Sequence, residues 1–285
     1  ILCQKDAETE ILVFDGGSQD NSVHILKKYQ DCITHWESVP DRGQTHAINK
    51  GLKRMTGDVW MYLNSDDLME EGALSRVAKV FEEGSVNWVV GQTIEFCDRS
   101  IKNKRYPSLP VSNRDYLPYW GKDRGCISFS CSCAHFFRRE VVDCVGYMRE
   151  DLHYSMDMEY YARLSLMGRY QPVPIDQVLA RWRFHENSKT VQKGIAYGFI
   201  EEELKWAKEY KDYLADAGQE AFLREWHRES SYLPLRKAEF YLNQRAWRKS
   251  CRHWLHAPFV ASANLFRRWW WSLGKKLVFQ NHSRN

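Results

Sequence analysis

The chain has 285 residues, 44% of them hydrophobic and 14% aromatic, enough for one core of ordinary domain size plus an appendage but not for two full domains. No apolar run reaches the length of a membrane span, no secretory leader pattern opens the chain, and eight scattered cysteines read as reduced thiols of a cytosolic protein rather than a disulfide frame. The net charge of +4 is uneven: Arg245 to Asn285 holds nine Lys/Arg and no acid, which leaves −5 for residues 1–244.

Ile11-Leu12-Val13-Phe14 is a short apolar run, predicted as a strand, that stops at the turn signal Asp15-Gly16-Gly17-Ser18. A helix is predicted from Ser22 to Tyr29, a strand over Cys32–Trp36, and a second helix from Gln44 to Met55. Val59–Leu63 reads as the next strand, stopped by Asn64-Ser65-Asp66-Asp67. Leu74–Phe81 reads as a helix and Trp88–Val90 as a strand. This alternation predicts an α/β fold with a mostly parallel sheet flanked by helices.

From Phe96 to Cys133 the pattern is irregular, and loops with short antiparallel strands are expected. Phe136–Val145 and Met156–Met167 read as helices and Val178–Phe184 as extended. The chain is then expected to be helical, with Trp206, Tyr210, Tyr213 and Leu214 on one face. The domain division follows: 1–190 as the α/β domain and 191–285 as a helical extension.

Strand ends carry the chemistry. In an open parallel sheet the carboxyl ends of the strands share one edge, so Asp15, Asp41 and the Asn64–Asp67 turn are expected to face one crevice. Neighbouring carboxylates there suit a hard divalent cation completed by phosphate oxygens. Each acid taken alone reads equally well as a solvated loop residue or a helix cap. Asp157 opens a predicted helix and is either a first-turn acid or a general base, and His185 is either a ligand or a loop residue.

Together these segments resemble a family 2 glycosyltransferase of the GT-A fold. The carriers are Ile11–Ser18 with Asp20; Asp41-Arg42-Gly43-Gln44 with Ala47-Ile48-Asn49-Lys50-Gly51; and Gly57-Asp58 before Leu63–Asp67. Phe136–Arg139, Asp157 with Arg163, and Arg183, His185, Ser188, Lys189 and Thr190 complete the set. The resemblance implies an inverting transferase that moves a sugar from a UDP- or dTDP-sugar to a hydroxyl of a glycan or lipid-linked glycan. It implies nucleotide contacts from Asp15, Asp41, Asn64 and Ser65, and a Mn²⁺ or Mg²⁺ ion held by Asp66, Asp67 and His185. It makes Asp157 the base. Asn64 departs from the family's leading acid, and a first strand with its nucleotide-contacting turn is expected upstream of Ile1. A sugar nucleotidyltransferase and an inactive nucleotide- or glycan-binding module are the alternatives.

Two further signals stand outside that set. Cys126, Cys131 and Cys133 read as small buried hydrophobes rather than a zinc site, because the usual Cys-x₂-Cys pairs are missing. In the tail, Phe259, Phe266, Trp270, Leu273 and Leu277 share one helical sector opposite Arg267, Arg268, Lys275 and Lys276. That face suits peripheral contact with an anionic membrane on the cytosolic side, with core docking the alternative and nucleic-acid binding not favoured.

Overall fold

The computed structural model describes residues 1–2, 4, 8–97, 100–106, 131–167, 170–185, 188–189 and 196–216, with shorter stretches between 234 and 256. The tail from 258 to 279 and Cys126 lie outside the described residues. Contacts divide the chain into two compact units, one of residues up to 191 and the other chiefly of residues from 192 on.

The first unit opens with β1 (Leu12–Asp15), α1 (Ser22–Lys28), β2 (His35–Ser38) and α2 (Gln44–Arg54). β1 and β2 pair in parallel with Asp15 opposite Ser38. α2 lies close to β1: a Cβ at Gly51 would sit 3.5 Å from the Phe14 ring. β3 (Val59–Trp60), β4 (Leu68–Met69), α3 (Ala73–Glu82), β5 (Trp88–Cys97) and β6 (Ser100–Tyr106) follow. The unit continues with β7 (His135–Arg138), α4 (Glu140–Val145), α5 (Met156–Leu166) and β8 (Val173–Arg183). The strand order is β3-β7-β5-β8-β4, with β6 also paired to β5.

The α/β class holds, but the pairing is more mixed than strand–helix alternation predicts. Only β1–β2 and β5–β8 are parallel among the described strands; β3–β7, β5–β7, β5–β6 and β4–β8 are antiparallel. Phe136–Val145, expected as one helix, instead divides into β7 and α4. His135, Phe136 and Phe137 are fully buried between β3 and β5, and an apolar run with both faces covered is a strand signal as much as a helical one. Cys32 belongs to a 3-10 turn, Gln30–Cys32, and the strand starts later, at His35.

α3 buries Ala73, Val77 and Phe81, spaced four apart on one face, against Val89, Phe136, Leu179 and Ala180. Its C-terminal end is held by Arg138, whose guanidinium donates to the carbonyls of Phe81 (2.6 Å), Val86 (2.8 Å) and Gly84 (3.3 Å). α5 docks through aromatic rings. Tyr161 stacks on His135 at 4.3 Å and on Trp88 at 5.7 Å, and Tyr160 meets Trp60 and Phe137 edge-on.

β5 passes so near β8 that residue 91 must lack a side chain. A Cβ at Gly91 would lie 2.2 Å from Leu179 Cδ1 and 3.0 Å from Leu179 Cβ, and Leu179 is fully buried. Gly91→Ala is therefore expected to destabilise by ~1–3 kcal/mol, the usual cost of overpacking a core. Urea unfolding beside wild type checks this; an unchanged midpoint would mean that Leu179 can move aside.

The second unit contains α6 (Ala196–Glu209), α7 (Lys211–Asp216) and α8 (Trp247–His256). Trp206 and Tyr210 are buried as expected, but Tyr213 is exposed, because the chain turns at Tyr210 and α7 starts with a new phase. Ser250 donates to the Ala238 carbonyl at 2.6 Å, and Tyr241 stacks on His253. No helix among the described residues is long and apolar enough to cross a membrane.

Candidate active site

The strand registers bring the acidic turns together. Because Asp15 faces Ser38 across β1–β2, its carboxylate accepts from Ser38 Oγ at 2.6 Å, and it also accepts from Ser18 Oγ and from the backbone N–H groups of Gly17 and Ser18. The Ser18 and Ser38 hydroxyls hold its pKa down at about 2, further than partial burial raises it. Four donors fill about all the lone-pair sites of a carboxylate, so Asp15 fixes the shape of the Gly16–Ser18 turn.

Asp41 accepts from Gly43 N at 2.7 Å, where Gly43 takes φ 116° just before α2. Its other oxygen lies over Gly16, 3.0 Å from where a Cβ would be. The β1 and β2 turns thus meet through one carboxylate and one glycine, and a side chain at 16 would displace Asp41.

The third turn is placed by β4 and β8. These pair antiparallel with Leu68 opposite Arg181, so the chain running back from Leu68 meets the chain running on from Arg181. Asp67 accepts from the Arg183 N–H at 3.0 Å, and Asp66 meets His185 Nε2 at 2.9 Å. The two are differently exposed. Asp66 and His185 are each 34% accessible, whereas Asp67 is buried and its pKa is raised, first by that burial. Asn64 spends both ends of its amide internally, donating to Asp67 at 3.0 Å and accepting from Gln44 Nε2 at 2.6 Å. Ser65 is exposed at the tip.

Two residues join this network that composition and spacing give no role. Gln44, the first residue of α2, links Asn64 to the Lys189 ammonium, which lies 3.3 Å from Gln44 Oε1 and 3.3 Å from the His153 carbonyl. Both stand inside the motifs of the sequence, Asp41–Gln44 and Ser188-Lys189, but only the fold shows that they touch.

Asp157 lies in the first turn of α5, partly buried, and accepts from the Met158 N–H at 2.8 Å. It is close enough to the Tyr62 phenol to add to the rise in that group's pKa, which burial dominates. Its loop is tied to α2. Buried Asn49 donates to the Met148 carbonyl (2.8 Å) and accepts from the Met148 N–H (3.1 Å), while Glu150 pairs with Arg42. The carboxylate next along α5, Glu159, is fully buried and bound by both oxygens to Arg163 at 3.0 Å.

The arrangement joins a cation–amide string, Lys189–Gln44–Asn64, to a partly exposed carboxylate–imidazole pair, and the His153 carbonyl on that string lies four residues before the carboxylate of Asp157 at the start of α5. Asp66 and His185 offer one oxygen and one nitrogen donor, which can hold Mn²⁺ or another first-row divalent ion whose remaining positions phosphate oxygens and water would fill.

The sequence profile described as glycosyl transferase family 2 matches residues 1–146, just over half of the chain. The chain belongs to that family. A glycosyltransferase of Mycobacterium tuberculosis, Rv1514c, is 30% identical over 175 residues, covering 61% of this chain and 63% of that protein. This family 2 chain therefore spans under two thirds of the length of that relative. The Staphylococcus aureus poly(ribitol-phosphate) beta-N-acetylglucosaminyltransferase TarP is 21% identical over 242 residues, covering 75% of this chain and 72% of TarP. Among solved structures, S. aureus TarS 1–349 in complex with UDP-GlcNAc superposes with a TM-score of 0.53 at 16% identity, over 71% of this chain and 59% of that one. That likeness is one of fold.

Proposed function

We propose that this family 2 glycosyltransferase is an inverting, metal-dependent enzyme that transfers a sugar from a nucleoside-diphosphate sugar to a hydroxyl of a glycan or lipid-linked glycan. The observation that carries the reading is the Asp66–His185 pair, 2.9 Å apart and partly exposed beside the Asp41 and Asn64 turns. UDP-GlcNAc is the first donor to try, since TarS has been crystallised in complex with it and N-acetylglucosamine is the sugar in the name of TarP.

In this reading Asp41 faces the nucleoside and Asp15 holds the turn beneath it, with Asn64 and Ser65 lining the nucleotide side. Lys189, held by Gln44 and the His153 carbonyl, supplies positive charge for the diphosphate. Asp66 and His185 would hold Mn²⁺ or Mg²⁺, which when bound neutralises charge on the departing diphosphate. Asp67 supports Asp66 through the Asn64 and Arg183 hydrogen bonds instead of reaching the cation itself. Asp157 removes the proton from the acceptor hydroxyl as it attacks, and a single displacement needs no covalent nucleophile.

Calorimetry tests the reading. UDP binding to wild type is expected to tighten at least ~10-fold with Mn²⁺, which is about 1.4 kcal/mol of coupling, and Asp66→Ala should abolish that gain. Equal affinity for UDP with and without Mn²⁺ in both proteins would remove the metal-dependent mechanism.

A further inference from the structure

The acidic turn meets a second kind of chemistry on its buried side. Asp67, Cys131 and Cys133 each present a ligand atom, and these atoms all lie within 4.8 Å of one another. The two sulfurs are brought to one side by the 3-10 turn Ser132–Ala134, closed by Ala134 N–H donating to the Cys131 carbonyl at 2.9 Å. That turn is anchored on β5, where Cys131 N–H donates to Thr93 Oγ1 at 3.4 Å. Asp67 and Cys133 are buried and Cys131 is partly exposed, which leaves an approach from that side. Nearby, the Tyr62 hydroxyl is buried beside Cys131 and Ser132 and makes no hydrogen bond of normal geometry.

We propose that Asp67, Cys131 and Cys133 form a zinc site beneath the acidic turn, separate from the cation site assigned to Asp66 and His185. Asp67 accepts one hydrogen bond on each oxygen, from Arg183 N–H and Asn64, which leaves further lone pairs toward the two thiols, and thiols are weak donors to a buried carboxylate. Zinc satisfies all three groups at once. Two thiolates balance the ion's charge and the carboxylate leaves the site at −1, which the Asn64 and Arg183 N–H groups donating to Asp67 offset in part; the two thiol protons leave to solvent, and no oxidant is required. Sulfur donors select zinc over Mn²⁺ and Mg²⁺, so the two sites discriminate by ligand chemistry. Three protein ligands leave a fourth position that water would fill. The ion would tie the Asn64–Asp67 turn to the 3-10 turn that leads into β7, so that Asp66 is presented to His185 by a pinned loop. The site stands whether or not the transferase reading does.

The full chain, purified in reductant without chelator and dialysed against zinc, is expected to retain about one zinc per chain after gel filtration. Cobalt loading should give a thiolate-to-cobalt charge-transfer band. Cys131→Ala, at the partly exposed position, should lose both zinc and band, whereas Asp66→Ala should keep them and lose only the manganese effect on UDP binding. Because a Cys133 variant can fail to fold, alkylation of the wild-type thiols followed by peptide mass spectrometry gives a second readout. Zinc should slow labelling of Cys131 and Cys133 at least ~10-fold, and Mn²⁺ should not. Zinc below ~0.1 per chain, or a cobalt–thiolate band that survives Cys131→Ala, would overturn the site.

Discussion

Asp157→Asn is expected to lower kcat at least ~10²-fold while leaving donor affinity nearly unchanged, the signature of a lost general base. Asn keeps the shape and the acceptor oxygen that meets the Met158 N–H, so α5 should start as before. What disappears is the capacity to take a proton. The neighbouring acid cannot stand in. Glu159 is fully buried with both oxygens on Arg163, facing the helix packing and not the crevice. The measurement is initial-rate kinetics with the donor found by thermal-shift screening, alongside calorimetry of UDP. A variant with near-normal kcat would move the base elsewhere, and a variant with lost UDP affinity would make Asp157 a donor-side residue.

Arg163→Met is expected to destabilise the protein by ~3–5 kcal/mol, the usual result of leaving one member of a buried ion pair alone. Arg163 holds Glu159 by a two-pronged contact one helical turn away, donates to the Val145 carbonyl at 2.6 Å, and lies over the Tyr160 ring at 5.1 Å. Met restores bulk and some contact with the ring but strands a fully buried carboxylate and the end of α4. The double change Glu159→Gln with Arg163→Met should recover part of the loss, because the unpaired charge is then gone. Chemical denaturation of the three proteins decides it. If the single and double variants unfold alike, the pair contributes by packing and not by charge. The same bond also positions Asp157, since α5 is seated by Glu159–Arg163 and by Tyr160 and Tyr161.

Much of this was legible in the residues. The turn after Phe14 and the acidic turn ending in Asp67 stand out because apolar strands stop abruptly at groups that need water or partners. The helices Gln44–Arg54 and Ala73–Glu82 follow from apolar spacing. Less legible were the extension of the strand at Trp88–Val90 on to Cys97 and the strand His135–Arg138, whose fully buried residues lack the alternation that marks a strand and read as a helix until β3 and β5 are seen to flank it. The Asp67 carboxylate beside Cys131 and Cys133 was invisible for a related reason. The third ligand comes from 64 positions upstream of Cys131, and without it two thiols separated by one residue look like small hydrophobes.

By itself the sequence determined which segments become strands and helices in most of the first unit, and that its acids sit where strands end. Those are local matters, set by hydrophobic periodicity and by turns that Gly and Asp favour. Only the tertiary structure decided which acids face solvent and which are buried. The β4–β8 register sends Asp66 to His185 and its neighbour Asp67 into the core against Arg183 and two thiols, and the β1–β2 register spends Asp15 on its own turn. Adjacent carboxylates of identical chemistry receive different environments because the turn just before β4 gives each its own partner, and those partners come from the end of a strand far away in the sequence.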